Sequence, residues 1–332
     1  MEISFIIPLF NRLDLTRPCL ESLQASLPKG VTCEIILVDD GSTDGTREWI
    51  VTLPAPPFVV IFNEERSGYA VGNNRGARIA RGRLLVLLNN DLLFAPGWLE
   101  PMLAAYSRNR DVAIVGNRQV RVDDGGLDHA GIIINLNGKP EHLNRSQRAA
   151  IKPFGCSRRP AVTGACCLVP RRLFLELGGF DERFRNGGED VDLCYRARAR
   201  RLKVVVANRS VVRHHVSASP GRKDHDERNS RRLCLRWRPQ LILDGARAWP
   251  IAYLRQHWLE PRDYDTSLLW HAFLRWLGVV SWPAREAVNV VTKNLIREEQ
   301  HWLETLGPVS REARGEGRGA RGTETTHETS LS

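Results

Sequence analysis

The feature that most constrains this chain is a repeat of short apolar runs, each followed by an amphipathic stretch. Residues 3–8 read as a buried strand and residues 14–27 as a helix. Residues 33–38 are a second strand, and 44–51 a helix with acidic residues near its start. Residues 58–62, 69–80 and 83–88 continue as strand, helix and strand. Strands that are apolar along their whole length must be covered on both faces, which predicts a mainly parallel sheet inside an α/β sandwich. Ligands of such sheets bind beyond the carboxyl ends of the strands, so the loops after Pro8, Val38, Phe62 and Leu88 are the ones to search.

Past residues 112–116 the pattern changes. Asp124-Gly125-Gly126 and Asn137-Gly138 are turn sequences and suggest a hairpin-like insertion. Residues 162–169 and 203–207 read as strands, with a very basic helix over 191–201 between them. The expected domains are a catalytic domain over 1–238, a Trp- and Leu-rich helical extension over 239–310, and a disordered Gly/Arg/Glu/Thr tail over 311–332.

The formal charge is +10, and it is concentrated: residues 196–238 hold fourteen Lys/Arg against three acids, a local +11. Such a segment suggests a single basic surface that favours anionic partners. The seven cysteines form no Cys-x-x-Cys pair, which reads as reduced thiols in a cytosolic protein. Met1-Glu2-Ile3-Ser4 lacks the basic start of a signal peptide, and no run of about 18 apolar residues occurs.

Four short segments carry chemistry. Asp39 and Asp40 stand at a strand end before a Gly turn, where a carboxylate can accept hydrogen bonds from a base or a ribose; one of Ser42, Thr43 or Asp44 caps the next helix. Asn89-Asn90-Asp91 ends a later strand, and Asp91 could ligate a divalent cation that keeps phosphate oxygens and water in its shell. Gly187-Gly188-Glu189-Asp190 opens a helix, where a carboxylate can face a cleft as general base. His214-His215 follows a strand-like stretch and would complete a mixed nitrogen and oxygen site. Pro8 to Arg12 contains no glycine, which excludes a dinucleotide-binding Gly-x-Gly-x-x-Gly, and no P-loop occurs.

The order of these pieces is more telling than any one of them. Val-Asp-Asp-Gly-Ser comes first, then Asn63-Glu-Glu-Arg-Ser-Gly-Tyr-Ala-Val-Gly-Asn-Asn-Arg-Gly76, then Asn-Asn-Asp. Gly-Ala-Cys-Cys-Leu-Val-Pro-Arg-Arg, Gly178-Gly179-Phe180-Asp181 and Glu-Asp-Val-Asp-Leu follow, with His214 last. Over residues 1–225 the set resembles the family 2 glycosyltransferases of the GT-A fold, especially rhamnosyltransferase-like members. The resemblance implies a GT-A type αβα sandwich and an inverting transfer of sugar from a UDP- or dTDP-sugar donor to a hydroxyl of a glycan or lipid-linked acceptor, in cell-surface polysaccharide or glycolipid synthesis. Carried over by position, Pro8, Asn11 and Arg12 line the nucleotide pocket. Asp40 binds the base or ribose with Asp39 alongside, and Ser67, Gly68 and Asn73 lie near the donor. Asn89 or Asn90 contributes a carbonyl oxygen or contacts the sugar, and Asp91 binds Mg²⁺ or Mn²⁺ bridging the diphosphate, with His214 as a further ligand. Gly164 and Ala165 form a wall near the sugar and acceptor, Asp190 is the base, and Glu189 positions it or the acceptor.

Two departures stand out. Asn89 occupies the first position of the usual Asp-x-Asp, so metal affinity is expected to be lower, or Asp91 acts alone; His215 is an alternative to His214. Leu92 stands where Thr is common. The other readings are an inactive sugar-nucleotide-binding scaffold, and a basic nucleic-acid binder that leaves the carboxylate loops unexplained; no nucleic-acid partner is expected. The expected location is cytoplasmic, peripheral at the inner face of the membrane, with residues 268–282 either flat on lipid or packed against the catalytic domain.

Overall fold

Each apolar run becomes a strand because its alternate residues feed two separate cores. The computed structural model describes residues 1–143, 154–216, 225–259, 265–277, 279–280 and 283–308. In it β1 (Ile3–Leu9), β2 (Cys33–Asp39), β3 (Phe58–Phe62) and β4 (Leu84–Leu88) lie parallel in the order β4-β1-β2-β3. Phe5, Ile7, Ile35, Leu37, Val86 and Leu88 enter one cluster, while Ile6, Ile36, Val38, Leu85 and Leu87 enter the other. That period of two is the pleat of a strand buried on both sides. The first cluster is closed by α1 (Leu13–Ser26) and α4 (Glu100–Ser107), through Cys19, Leu20, Leu23 and Met102. The second is closed by α3 (Tyr69–Ile79), α6 (Glu189–Ala199) and α7 (Asp226–Leu259).

Close packing of α3 places its first turn beside the site. A Cβ at Gly76 would lie 2.5 Å from Ile6 Cγ2, and one at Gly72 would lie 3.1 Å from Pro8 Cβ. Glycine at these two positions, one helical turn apart, lets the helix approach β1 this closely, most strictly at Gly76.

Beyond β4 the sheet becomes mixed, with the order β10-β12-β6-β11-β4-β1-β2-β3 for β10 (Cys156–Arg158), β12 (Lys203–His214), β6 (Val112–Arg121) and β11 (Cys166–Pro170). β10 and β11 run antiparallel to their neighbours; β6 and β12 are parallel to each other. Short β5 (Leu92–Leu93) and β7 (Leu127–His129) pair with β12 and β6. The expected insertion contains the antiparallel pair β8 (Ile132–Ile134) and β9 (Pro140–His142), closed around Asn137-Gly138. The strand expected over 162–169 begins only at Cys166, because residues 163–165 form a loop held by side chains at the site. Residues 203–207 and 210–212 are one strand, with a register shift between Val206 and Val211.

The 238/239 boundary falls inside α7. Trp237 leaves helical geometry (φ −123°, ψ 18°) two residues before Pro239, whose ring interferes with the preceding turn. Past that kink Leu241, Ala246 and Trp249, with Val291, Leu295 and Trp302 of α9 (Arg285–Leu306), join the same hydrophobic cluster as Ile6 and Val38.

Six of the fourteen cations over 196–238, expected to form a single basic surface, are held by carboxylates. Arg196 pairs with Asp192, Arg198 with Asp244, Arg200 with Glu176, Lys203 with Asp111 and Arg238 with Glu299; Arg236 reaches Asp192 and Asp181. These six are neighbours in sequence, but folding distributes them among carboxylates of several elements. Arg222 and Lys223 lie outside the described residues, as do Ser217, Ser219, Trp282 and the tail over 311–332. No described helix is long and apolar enough to cross a membrane.

Candidate functional site

The carboxyl ends of β1, β2, β4 and β12 and the start of the antiparallel β11 lie along one edge of the sheet, and nearly all the sequence-predicted residues gather there. Just past β2, Asp40 is buried and accepts four hydrogen bonds. Oδ1 takes Asn63 Nδ2 at 2.8 Å, Ser67 N at 2.8 Å and Ser67 Oγ at 2.5 Å, and Oδ2 takes Gly68 N at 2.7 Å. Burial pushes its pKa up, but these donors outweigh it and hold the carboxyl below its usual value. Asp39, expected beside Asp40 at the base or ribose, is a correction. It is fully buried and its Oδ2 is taken by Arg47, with Nη2 at 2.7 Å and Nε at 2.8 Å. Arg47 also donates to Asn63 O at 2.7 Å, so Asp39 fastens β2 to the start of α2 (Thr46–Ile50).

Asn11 and Arg12 both adopt left-handed backbone, with φ 55° and 60°, which is uncommon for non-glycine residues in succession. The strand-end loops hold them there: Asn11 N donates to Ser42 Oγ, and Thr43 N donates to Asn11 Oδ1, both at 2.8 Å. Arg12 itself pairs with Asp14. Of the three capping candidates, Asp44 receives Thr46 N of α2 and also Leu13 N of α1, while Ser42 serves Asn11. Pro8 is partly buried under Gly72 of α3. Asn73 is fully buried; its Nδ2 donates to Tyr69 O, and its Oδ1 has no hydrogen-bond partner.

The two strand ends are joined through the loop 163–165. Tyr69 Oη donates to Gly164 O at 2.7 Å, Gly164 N donates to Asp190 Oδ2 at 2.9 Å, and Asn89 N donates to Ala165 O at 2.8 Å. One path therefore runs from Asp40 through Gly68 and Tyr69 to Gly164 and Asp190, and on through Ala165 to Asn89 and Asp91. Asp190 also accepts Val191 N at 2.7 Å, so each of its oxygens is oriented by an amide. Glu189 is buried and accepts Gly187 N at 2.9 Å, closing the loop before α6.

The other side of the site is less complete. Asn90 Nδ2 donates to buried Thr16 of α1, which ties that side chain to the framework. Asp91 Oδ1 is buried with no directed hydrogen bond; His214 Nε2 faces it at 3.4 Å. His214 Nδ1 lies 3.0 Å from Asp128 Oδ2. Burial opposes the imidazolium, but the hydrogen bond to Asp128 and the nearby carboxylate of Asp91 prevail and push its pKa up to about 9. His215 only donates its backbone N to Asp91 O at 3.0 Å, so His214 is the imidazole turned to this carboxylate. The orphaned oxygen of Asp91 beside His214 Nε2 fits a Mg²⁺ or Mn²⁺ that takes its remaining ligands from phosphate and water. Among the described residues no group of three His, Cys, Asp or Glu is arranged to hold a metal by protein ligands alone. Tyr69, Asn63 and Asp128 were not singled out from sequence. Tyr69 and Asn63 both lie within the segment 63–76, whereas Asp128 has no local signal, being 86 residues from His214.

Comparison with known proteins agrees with this architecture. The description of glycosyl transferase family 2 matches residues 4–178, more than half of the chain. The O-antigen biosynthesis protein RfbC of Myxococcus xanthus is 33% identical over 230 residues, which is 66% of this chain but only 18% of that protein. The crystal structure of GalNAc-T7 with UDP, GalNAc and Mn²⁺ superposes with a TM-score of 0.59 at 19% identity, over 93% of this chain and 58% of that one. The mannosyltransferase PcManGT of Pyrobaculum calidifontis, in complex with GDP-Man and Mn²⁺, gives 0.53 at 18% identity, over 91% and 87% of the two chains. With its mostly parallel sheet, its strand-end carboxylates and this family match, the chain belongs to glycosyl transferase family 2 and has the GT-A fold.

Proposed function

We propose that this protein is an inverting glycosyltransferase that moves a sugar from a UDP- or dTDP-linked donor to a hydroxyl of a glycan or lipid-linked acceptor, in the making of a cell-surface polysaccharide or glycolipid. The observation that carries this reading is the hydrogen-bonded path joining Asp40, Asp190 and the Asp91 loop along one sheet edge. Three carboxylates from distant parts of the chain would have no reason to share an edge in a purely structural role.

In this reading the loop of Asn11 and Arg12, with Asp40, Ser67 and Gly68, forms the nucleotide wall. Asp91 and His214 would hold Mg²⁺ or Mn²⁺, which when bound supplies positive charge to the departing diphosphate. Gly164 and Ala165 border the reacting sugar. Asp190, oriented by Gly164 N and Val191 N, takes the acceptor hydroxyl proton as that oxygen bonds to the anomeric carbon. The bond from that carbon to the diphosphate breaks with inversion, so no covalent enzyme intermediate is required. Asp190→Asn is expected to lower kcat by about 10²–10⁴-fold with nucleotide affinity nearly unchanged. Near-normal turnover would remove Asp190 from this role.

A lipid-linked acceptor is favoured by α8 (Thr266–Trp276). Its Ala272 is fully buried, while Trp270 and Phe273, with nearby Leu277 and Val279, are exposed. Aromatic and aliphatic side chains presented together suit an interfacial helix. Full-length protein should float with anionic liposomes, and Trp270→Ser with Phe273→Ser should reduce flotation; equal flotation rejects this contact.

A further inference from the structure

We propose that Asp128 is the positioning residue of the cation site, holding His214 so that its Nε2 points at the open oxygen of Asp91. The proposal rests on the reading of Asp91 and His214 as cation ligands. Its first support is the geometry of the ring. Nδ1 lies 3.0 Å from Asp128 Oδ2, and Nε2 lies 3.4 Å from Asp91 Oδ1. The two ring nitrogens point apart, so an ion seated on Nε2 beside Asp91 is out of reach of Asp128. Asp128 therefore orients the imidazole without ligating. With Nδ1–H given to Asp128, Nε2 is the nitrogen whose proton a cation would displace on binding.

The second support is independent and lies in the backbone. In the antiparallel pair of β6 and β7, Gln119 faces His129 and Val120 faces Leu127, so Asp128 is the extra residue of a β-bulge. Bulges recur beside active sites because they re-aim a side chain that regular pleating would point elsewhere. His129 and Leu127 on either side are both buried, which fixes the bulge. His214 is itself fixed, as the last residue of β12, by pairing with Arg121 and Leu92. Two strand ends thus bring together groups far apart in the chain, and the contact between them is a charge-assisted hydrogen bond.

The test is Mn²⁺ binding to the full chain, followed by the electron paramagnetic resonance of free Mn²⁺ and without any turnover. Asp128→Ala should weaken Mn²⁺ affinity towards 100-fold, and Asp128→Asn, which keeps a neutral acceptor for Nδ1–H, by about 10-fold. A change in melting temperature with unaltered Mn²⁺ affinity would mean a structural role only and overturn the proposal. His214→Ala and Asp91→Ala separate the two levels. If they weaken binding and the Asp128 variants do not, the positioning role fails while the cation reading stands. If none of the four changes binding, the cation reading fails and the positioning role with it.

Discussion

Asp40 and Asp91 are both buried carboxylates at the ends of parallel strands, yet they are built in opposite ways. Asp40 has all its neighbours in place, with four donors on two oxygens. Asp91 has one buried oxygen with no directed bond and an imidazole 3.4 Å away. A carboxylate saturated by its own protein is a finished wall. One left incomplete in a buried setting is costly to maintain, and on the proposed reading its shell is finished by a cation. The contrast separates a side finished by the protein itself from a side that the proposed reading completes with a cation.

Stability should separate the two most clearly. Asp40→Asn places an amide N–H against backbone and hydroxyl donors, leaving at least one of them unsatisfied. The expected loss is about 2–3 kcal/mol, seen as a fall in Tm of roughly 5 °C or more. A Tm within a degree of the parent would break the comparison. The sign with pH follows from the lowered carboxyl of Asp40. Its contribution is fully present above the unfolded pKa of about 3.9, and is lost as pH falls through the lower folded value. The gap between parent and Asp40→Asn in a denaturant titration should therefore be full at neutral pH and shrink below about pH 4.

Asp91→Asn should behave in reverse. Without metal it removes one of the two carboxylates facing buried His214 while Asp128 still holds the ring, so its stability loss should be smaller than that of Asp40→Asn. Its effect belongs to ligand binding: UDP affinity measured by calorimetry should lose its Mn²⁺ dependence. If Asp91→Asn unfolds as readily as Asp40→Asn, the two sides are equally structural and the contrast disappears.

Much of the fold was legible because it is local. β3 lies at the expected residues, and β1, β2 and α3 differ from their expected bounds by a residue at one end. The errors came where long-range contacts override local pattern. Val162 and Thr163 have strand character, but the Gly164 loop is bound to Tyr69 and Asp190 and delays β11 to Cys166. The 196–238 arginines look like one basic surface in one dimension. In the fold, Asp192, Asp244 and Glu299 hold several of them in place.

The sequence by itself determined the α/β sandwich, the strand ends that carry chemistry and the kinds of side chain delivered there, since apolar period and turn chemistry act over a few residues. Only the tertiary structure decided that Asp39 belongs to Arg47, that Asp40 is saturated, and that His214 is held by Asp128 across the sheet. Those outcomes depend on which donors meet which acceptors after the chain has closed, and spacing along the backbone carries no record of that distance.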